Sequence, residues 1–415
     1  FTIGDLQMNK TIKLAVAGTV LALASTANAG IIIPAGEWTM DINGNVNVYA
    51  TMINYDDAAQ AGGALGLSGI KDGTEDSNQS INTGLLPAWL GFTGTTRQND
   101  LDVSFTISFQ PNVSDNGYAG DANTPLNRQA FLTFGDKSWG SVKMGKDLGI
   151  FAGDAILNDM TLLGVGGGYG NSGTATTLGG IGTGYIYPAW KGQIAYTTPD
   201  MNGFQATIGI TNPNQINGSS SYQDTFGFEA KAHYMFNAGA ATGKIWVSGA
   251  SYDVTQRAVA QVAAVPGNAG TAAVGAAQWD ATVADIGATI NVGNLGLTGY
   301  YYSGEGVGTT VLGLAGADAN SNERDSDGGY VQATYVIPAG TKLGVAYGVS
   351  RLDATSQEGA GTALLDENNR WTVGAYHPLT KHLNLVAEYN QVESENQAGA
   401  QAESDALSLG AILFF

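Results

Sequence analysis

Apolar and polar residues alternate one by one along most of this chain. The cleanest stretch sets Phe226, Phe228, Ala230, Ala232, Tyr234 and Phe236 against Thr225, Gly227, Glu229, Lys231 and His233. A period of two places one set on each face of an extended strand. Val103, Phe105, Ile107 and Phe109 oppose Ser104, Thr106 and Ser108 in the same way, and Leu383, Leu385, Ala387 and Tyr389 oppose Asn384, Val386, Glu388 and Asn390. The pattern predicts sixteen strands, at 37–55, 80–95, 100–112, 126–135, 138–147, 186–199, 203–212, 224–236, 242–253, 279–292, 293–304, 327–338, 341–352, 368–379, 381–393 and 402–415. No segment sustains a helical period, and no apolar run approaches the roughly 20 residues of a spanning helix.

The links between these strands sort by parity. Tight ones, such as Thr96-Arg97-Gln98-Asn99, Asp136-Lys137, Asp200-Met201-Asn202 and Ala339-Gly340, alternate with long ones at 56–79, 148–185, 254–278, 305–326 and 353–367. Links at 113–125, 213–223 and 394–401 are shorter but still exceed the tight set. A sandwich has no reason to sort its turns this way. A transmembrane antiparallel β-barrel of about 16 strands does, with short periplasmic turns and long extracellular loops.

Both ends agree. Leu407, Leu409, Ala411, Leu413 and Phe415 share one face of the last segment, so the chain stops on an aromatic residue at strand parity. In a membrane barrel that face meets lipid and the terminal aromatic joins the interfacial girdle. Near the start, Lys10 and Lys13 precede the apolar run Leu14–Ala24 and then Ala27-Asn28-Ala29. This reads as a secretory signal peptide cleaved after Ala29, with residues before Met8 lying upstream of it. The expected organisation is therefore residues 1–29 removed on export and 30–415 forming one barrel in the cell outer membrane.

Composition narrows the choice further. Charged residues make up 13% of the chain, where a soluble protein carries about 25%. A lipid-facing surface excludes charge and accounts for the deficit. Removal of Asp5, Lys10 and Lys13 takes the net charge from −19 to −20, which argues against nucleic acid as a partner. Such acidity fits either a preference for cations or lipopolysaccharide bridged by divalent ions, as well as plain solvated loops. Cysteine is absent and histidine occurs only at 233, 377 and 382, so no thiolate or histidine metal site and no cofactor is expected. Asp72, Glu75 and Asp76, and Asp325 with Asp327, offer oxygen ligands for calcium but read more simply as solvated loop.

The longest link, 148–185, carries Asp154, Asp159 and the run Gly164-Val165-Gly166-Gly167-Gly168-Tyr169-Gly170. Folded into a lumen wide enough for water, it would constrict the pore, and its acids would face cations on the wall. The alternative is that it extends outside like the other loops.

Several segments resemble general bacterial outer-membrane porins. They are Asn127-Arg128-Gln129-Ala130-Phe131 with Gly140-Ser141-Val142-Lys143-Met144-Gly145-Lys146, then Ala88-Trp89-Leu90-Gly91-Phe92-Thr93-Gly94, and Ile194–Pro199 with Gly203-Phe204. Residues 236–400 match that family only in rhythm. The resemblance implies a 16-stranded homotrimer, a third external loop folded inside, and recognition of the last strand, ending at Phe415, by the barrel-assembly machinery. It implies a constriction built from Asp154, Asp159, Lys146, Arg128, Trp89 and Trp190. Two family arginine positions fall at or near Trp89 and Trp190, the latter beside Lys191. Parity alone points Trp89 inward, whereas Lys146 shares the face of Val142 and Met144 and needs a bend at Gly145 to turn in. Arg128 likewise shares the parity of Ala130, Leu132 and Phe134. The tryptophans either stack on sugar or aromatic solutes or simply pack against the wall.

The implied function is passive diffusion of small hydrophilic solutes and ions, with cations preferred. A substrate-selective porin is the first alternative, and an exported structural or adhesive β protein the second. No Gly-x-Ser-x-Gly stretch or Ser/His/acid constellation supports an enzyme.

Overall fold

The computed structural model describes residues 30–56, 65, 76–111, 113, 126–168, 176–213, 221–222, 224–258, 275–359 and 362–415. The expected export segment, Asp72, Glu75, Tyr169 and Gly170 lie outside the described residues.

The strands are β1 (Ile31–Ala35), β2 (Trp38–Asp56), β3 (Ser77–Asn82), β4 (Trp89–Gln98), β5 (Leu101–Gln110), β6 (Leu126–Asp136), β7 (Gly140–Leu148), β8 (Trp190–Thr197), β9 (Phe204–Thr211) and β10 (Ser221–Tyr222). They continue with β11 (Gly227–Ala238), β12 (Ala241–Gln256), β13 (Ala277–Val292), β14 (Leu295–Glu305), β15 (Asp325–Val336), β16 (Lys342–Leu352), β17 (Leu365–Pro378), β18 (Leu383–Asn396) and β19 (Gln401–Phe414). Among the described residues one short helix, α1 (Gly153–Asn158), interrupts them and is followed by a 3-10 turn at Met160–Leu163.

All ladders are antiparallel: β2 pairs both β3 and β4, β9 pairs β11, β10 pairs β12, the other strands pair their sequence neighbours, and β19 returns to β2 from Glu403↔Asp56 to Phe414↔Asn45, which closes the sheet. The ring has 16 strands, because β1, β3 and β10 occupy positions completed by longer strands. Closure leaves no edge in the hydrocarbon layer, the one condition under which a sheet can span a membrane.

The predicted alternation governs which side chains face out. On β13, Ile286 and Ile290 are 53% and 41% exposed, while Trp279, Val283 and Asp285 point inward and are buried. On β19, Leu407, Leu409 and Leu413 face out and Ala406, Ser408 and Ile412 face in. The terminal Phe415 exchanges backbone hydrogen bonds with Gly44, at 2.8 and 3.0 Å, so the carboxyl end is fastened to β2.

One expected strand, 80–95, is broken into β3 and β4. Residues 83–88 leave the wall because Asn45 and Asn47 on β2 donate to the carbonyls of Pro87 and Leu86. The Leu85 amide donates to the carbonyl of Gly164 at 2.9 Å. Alternation along 80–95 could not reveal this break, since the partners lie far away in sequence.

Candidate functional site

The segment from Gly149 to Pro188 leaves the end of β7 and hydrogen-bonds to inward-facing side chains around the ring. Glu229 on β11 accepts the backbone N–H groups of Ile150 and Phe151, at 2.6 and 2.9 Å. Glu388 on β18 accepts those of Val165 and Gly166, both at 2.9 Å. These two strands stand seven places apart in a sixteen-strand ring, so the carboxyl groups hold the segment from nearly opposite walls. Each is 1% exposed, and each reads two consecutive amides that would otherwise be buried without partners.

Further contacts fill the span. Tyr330 on β15 donates to the carbonyl of Ala155, the Met160 amide donates to Gln332, and Tyr49 on β2 donates to the carbonyl of Leu163. Gly184 donates to Ser350 on β16. Beneath, Phe151, Ile156 and Leu157 join a buried cluster with Trp246, Tyr252, Tyr300 and Tyr302. The described part of the glycine run, Gly164 to Gly168, is therefore close-packed. A Cβ on Gly164 would lie 1.9 Å from the Glu388 carboxyl oxygen, and Gly166 adopts φ +62°, so the run meets Glu388 only as glycine.

Both acids of the segment meet wall cations. Asp154 is 3% exposed, with Lys231 of β11 at 3.2 Å and Lys244 of β12 also bound to it. Asp159 accepts from Tyr185 at 2.8 Å and from Gly180 at 3.0 Å, caps the 3-10 turn through Thr161, and lies 3.8 Å from Arg370 on β17. A buried pair also joins Lys191 to Glu229 at 2.6 Å, and a partly water-exposed one joins Lys143 to Asp147.

Of the other residues implied by the resemblance, Arg128 and Trp190 reach Tyr187 of the segment, Trp190 through a side-chain hydrogen bond, whereas Lys146 and Trp89 lie away from it. Lys146 is exposed, shares the outward face of Met144, and donates to the Asn127 carbonyl at 2.8 Å; register through Gly145 is unbroken, so nothing turns it inward. Lys143, one parity step away, is the inward lysine of β7. Trp190 sits on the outward parity of Ile194 and Tyr196, and its neighbour Lys191 takes the inward place. Arg128 falls at the irregularity where Ser108 pairs Gln129 but Phe109 pairs Asn127; its amide donates to Gln110. Trp89 does face inward, where it packs against β2 and β19. It donates to Asn43 and meets Phe414 edge-on at 6.3 Å. The six residues are thus not one constellation: only Asp154 and Asp159 lie in the segment, and their partners are Lys231, Lys244 and Arg370. Parity alone could have found Lys143, Lys191, Lys231, Glu229 and Glu388. Their pairing with the segment required the fold.

A closed barrel with an apolar outer band and a polar, segment-crossed interior defines the class of outer-membrane channel proteins. A family model for the Gram-negative porins matches residues 14–397, and the chain belongs to that family. Among solved structures, the outer membrane channel DcaP of Acinetobacter baumannii is 15% identical, covering 92% of this chain and 99% of that one, with a TM-score of 0.62. The anion-selective porin from Comamonas acidovorans is 16% identical over 91% of this chain and 100% of its own, with a TM-score of 0.59. OmpT of Vibrio cholerae, in a trimer form, is 15% identical over 91% and 99%, with a TM-score of 0.55. At these identities the likeness shows the fold. No curated protein sequence matches the chain.

Proposed function

We propose that this porin passes small hydrophilic solutes and ions by passive diffusion as a homotrimer, with segment 148–188 setting the width of the path. The observation that carries this reading is the double hold on the segment, by Glu229 and Glu388 from nearly opposite walls. A loop fastened at both walls narrows a lumen without leaving it free to swing. Inward Thr93, Thr106, Thr133, Lys143, Thr197 and Thr207 on β4–β9 keep partial water contact and supply a polar side for the path.

The proposed cation preference belongs at the mouth. At the segment, Asp147, Asp154, Asp159 and Glu229 each stand beside a base. Unbalanced acids such as Asp253, Asp280, Glu305, Asp325, Glu393 and Glu403 gather at the outer ends of the strands. Rim charge concentrates cations but is screened over about 10 Å at 0.1 M salt. Reversal potentials across KCl gradients, set up at low and at high ionic strength, test this. Cation-sided potentials that fade with salt are expected, and an anion-sided potential at low salt refutes the preference. Liposome swelling with sugars of rising size tests the diffusion reading, which fails if uptake saturates for one solute and excludes smaller ones.

A further inference from the structure

A second outer loop folds into the barrel above the held segment. Loop 306–324 joins β14 to β15, and it turns inward at its first residues. Trp279 on β13 donates to the carbonyl of Gly306 at 2.9 Å, and Ser326 on β15 donates to that of Gly308 at the same distance. Both side chains point into the lumen and are buried, as are Val307, Thr309 and Leu312 of the loop itself. The loop then reaches the segment, where the Tyr187 amide donates to the carbonyl of Thr310 at 2.9 Å. Approach is closest at Gly182, with φ +76°, where a Cβ would lie 2.6 Å from Thr310 Oγ1. Residues 181–187 of the segment therefore lie between the wall, through Gly184 and Ser350, and this second loop. Toward the outer ends of β12–β17 the inward Tyr252, Trp279, Tyr302, Ser350 and Asn368 are all buried, so that side of the lumen is filled.

One side chain holds both ends of this loop. The Gly306 amide donates to the carbonyl of Arg324 at 3.0 Å, and the Arg324 amide donates to that of Gly316 at 2.8 Å. The Arg324 guanidinium donates through Nη1 to the carbonyl of Ala315 at 2.8 Å. Through Nε and Nη2 it grips Glu358, in the outer loop after β16, at 2.8 and 2.5 Å. Two parallel bonds fix angle as well as distance, which a single ammonium contact does not. An ion pair open to water contributes little, but Arg324 is only 8% exposed. Asp318 accepts from Thr355 at 2.9 Å, a second tie between the same two loops.

We infer that Arg324 and Glu358 determine the size limit of the pore, by latching loop 306–324 over residues 181–187 so that the β12–β17 side of the lumen stays closed. The inference rests on the diffusion reading above and adds a second loop to the sieve. Segment 148–188 narrows the path from within, and the latched loop keeps its outer limb from lifting.

The chain contains no cysteine, so Thr309→Cys places a single thiol in the buried part of the loop. In folded, membrane-inserted protein, a maleimide probe should label it slowly, because reaction waits on local opening. Adding Glu358→Ala removes the acceptor of two charge-assisted bonds and should raise labelling about tenfold or more. Glu358→Gln keeps one acceptor oxygen, should fall between, and serves if Glu358→Ala fails to insert. Labelling unchanged in both would overturn the latch. In planar bilayers, without the cysteine, Glu358→Ala should spend about tenfold more time in larger-current excursions. In liposome swelling it should admit a sugar that the wild type excludes. Faster labelling with wild-type currents and an unchanged size limit would overturn the loop's part in sieving. A wild type without conductance would instead strike the diffusion reading, while the labelling arm still decides the latch.

Discussion

Replacement of Glu388 by alanine removes the hold on one wall while leaving the other intact. The carboxyl group accepts from Val165 and Gly166, both at 2.9 Å, and from Tyr376 at 2.6 Å. Hydrogen bonds to a charged group contribute about 1.5–3 kcal/mol each. Losing the two amide bonds therefore costs the docked segment about 3–6 kcal/mol, before the buried hydroxyl of Tyr376 is counted. At 1.4 kcal/mol per tenfold, the undocked population rises by about a hundredfold or more. The assay is single-channel recording of heat-modifiable, folded protein. Glu388→Ala should show noisier openings and a larger mean conductance, while Glu388→Gln, which keeps a carbonyl acceptor without the charge, should fall between Glu388→Ala and wild type. Gly164→Ala should resemble Glu388→Ala, because its Cβ would lie 1.9 Å from Oε1 of the same carboxyl group. Conductance and noise in Glu388→Ala identical to wild type would refute the reasoning, as the segment would then not be held there.

Other consequences follow from the same geometry. The double variant Lys231→Ala, Lys244→Ala strands the buried carboxylate of Asp154 and should lower stability by about 3–5 kcal/mol in urea unfolding, with Asp154→Asn added in the triple variant restoring most of it. No rescue would mean that the lysines act through something other than that acid. Val373 faces lipid on β17 and is 58% exposed; Val373→Lys should cost about 2–4 kcal/mol in bilayer refolding if it sits near the midplane. In the outer loop at 315–324, the Asn322 side chain, helped by backbone amides and Thr355, holds the Asp318 carboxylate down to about 2. Because the folded value is depressed, this stabilisation is present above the ordinary carboxylate range and is lost as pH falls through about 2. Hydrogen exchange at the Asn320 and Asn322 amides should therefore stay slow at pH 4, and loss of protection there would contradict the assignment.

Alternation made the strands legible because every inward or outward step repeats the same chemistry, as along β18 and β19. It set Glu229 on the polar face, and the same parity, had it been followed, sets Lys143 and Lys191 there too, where motif likeness favoured Lys146 and Trp190. Parity is the sounder guide there, since a side chain cannot change faces without a shift in register. The interior was less readable. The break at 83–88 depends on Asn45, Asn47 and Gly164, which are remote in sequence. Helix α1 is a single short stretch whose apolar residues answer to Trp246 and Tyr300 across the lumen, so it carries no periodic signal of its own. The cause of the glycine run, close approach to Glu388, is likewise invisible in the run's own sequence.

The central claim is that a water-filled path remains beside the latched segment. Single-channel recording of the unheated wild-type protein in a planar bilayer tests it most directly. Stable, ohmic conductance steps are expected. Protein shown to be folded and inserted, yet electrically silent, would mean that the segment plugs the barrel and would contradict it.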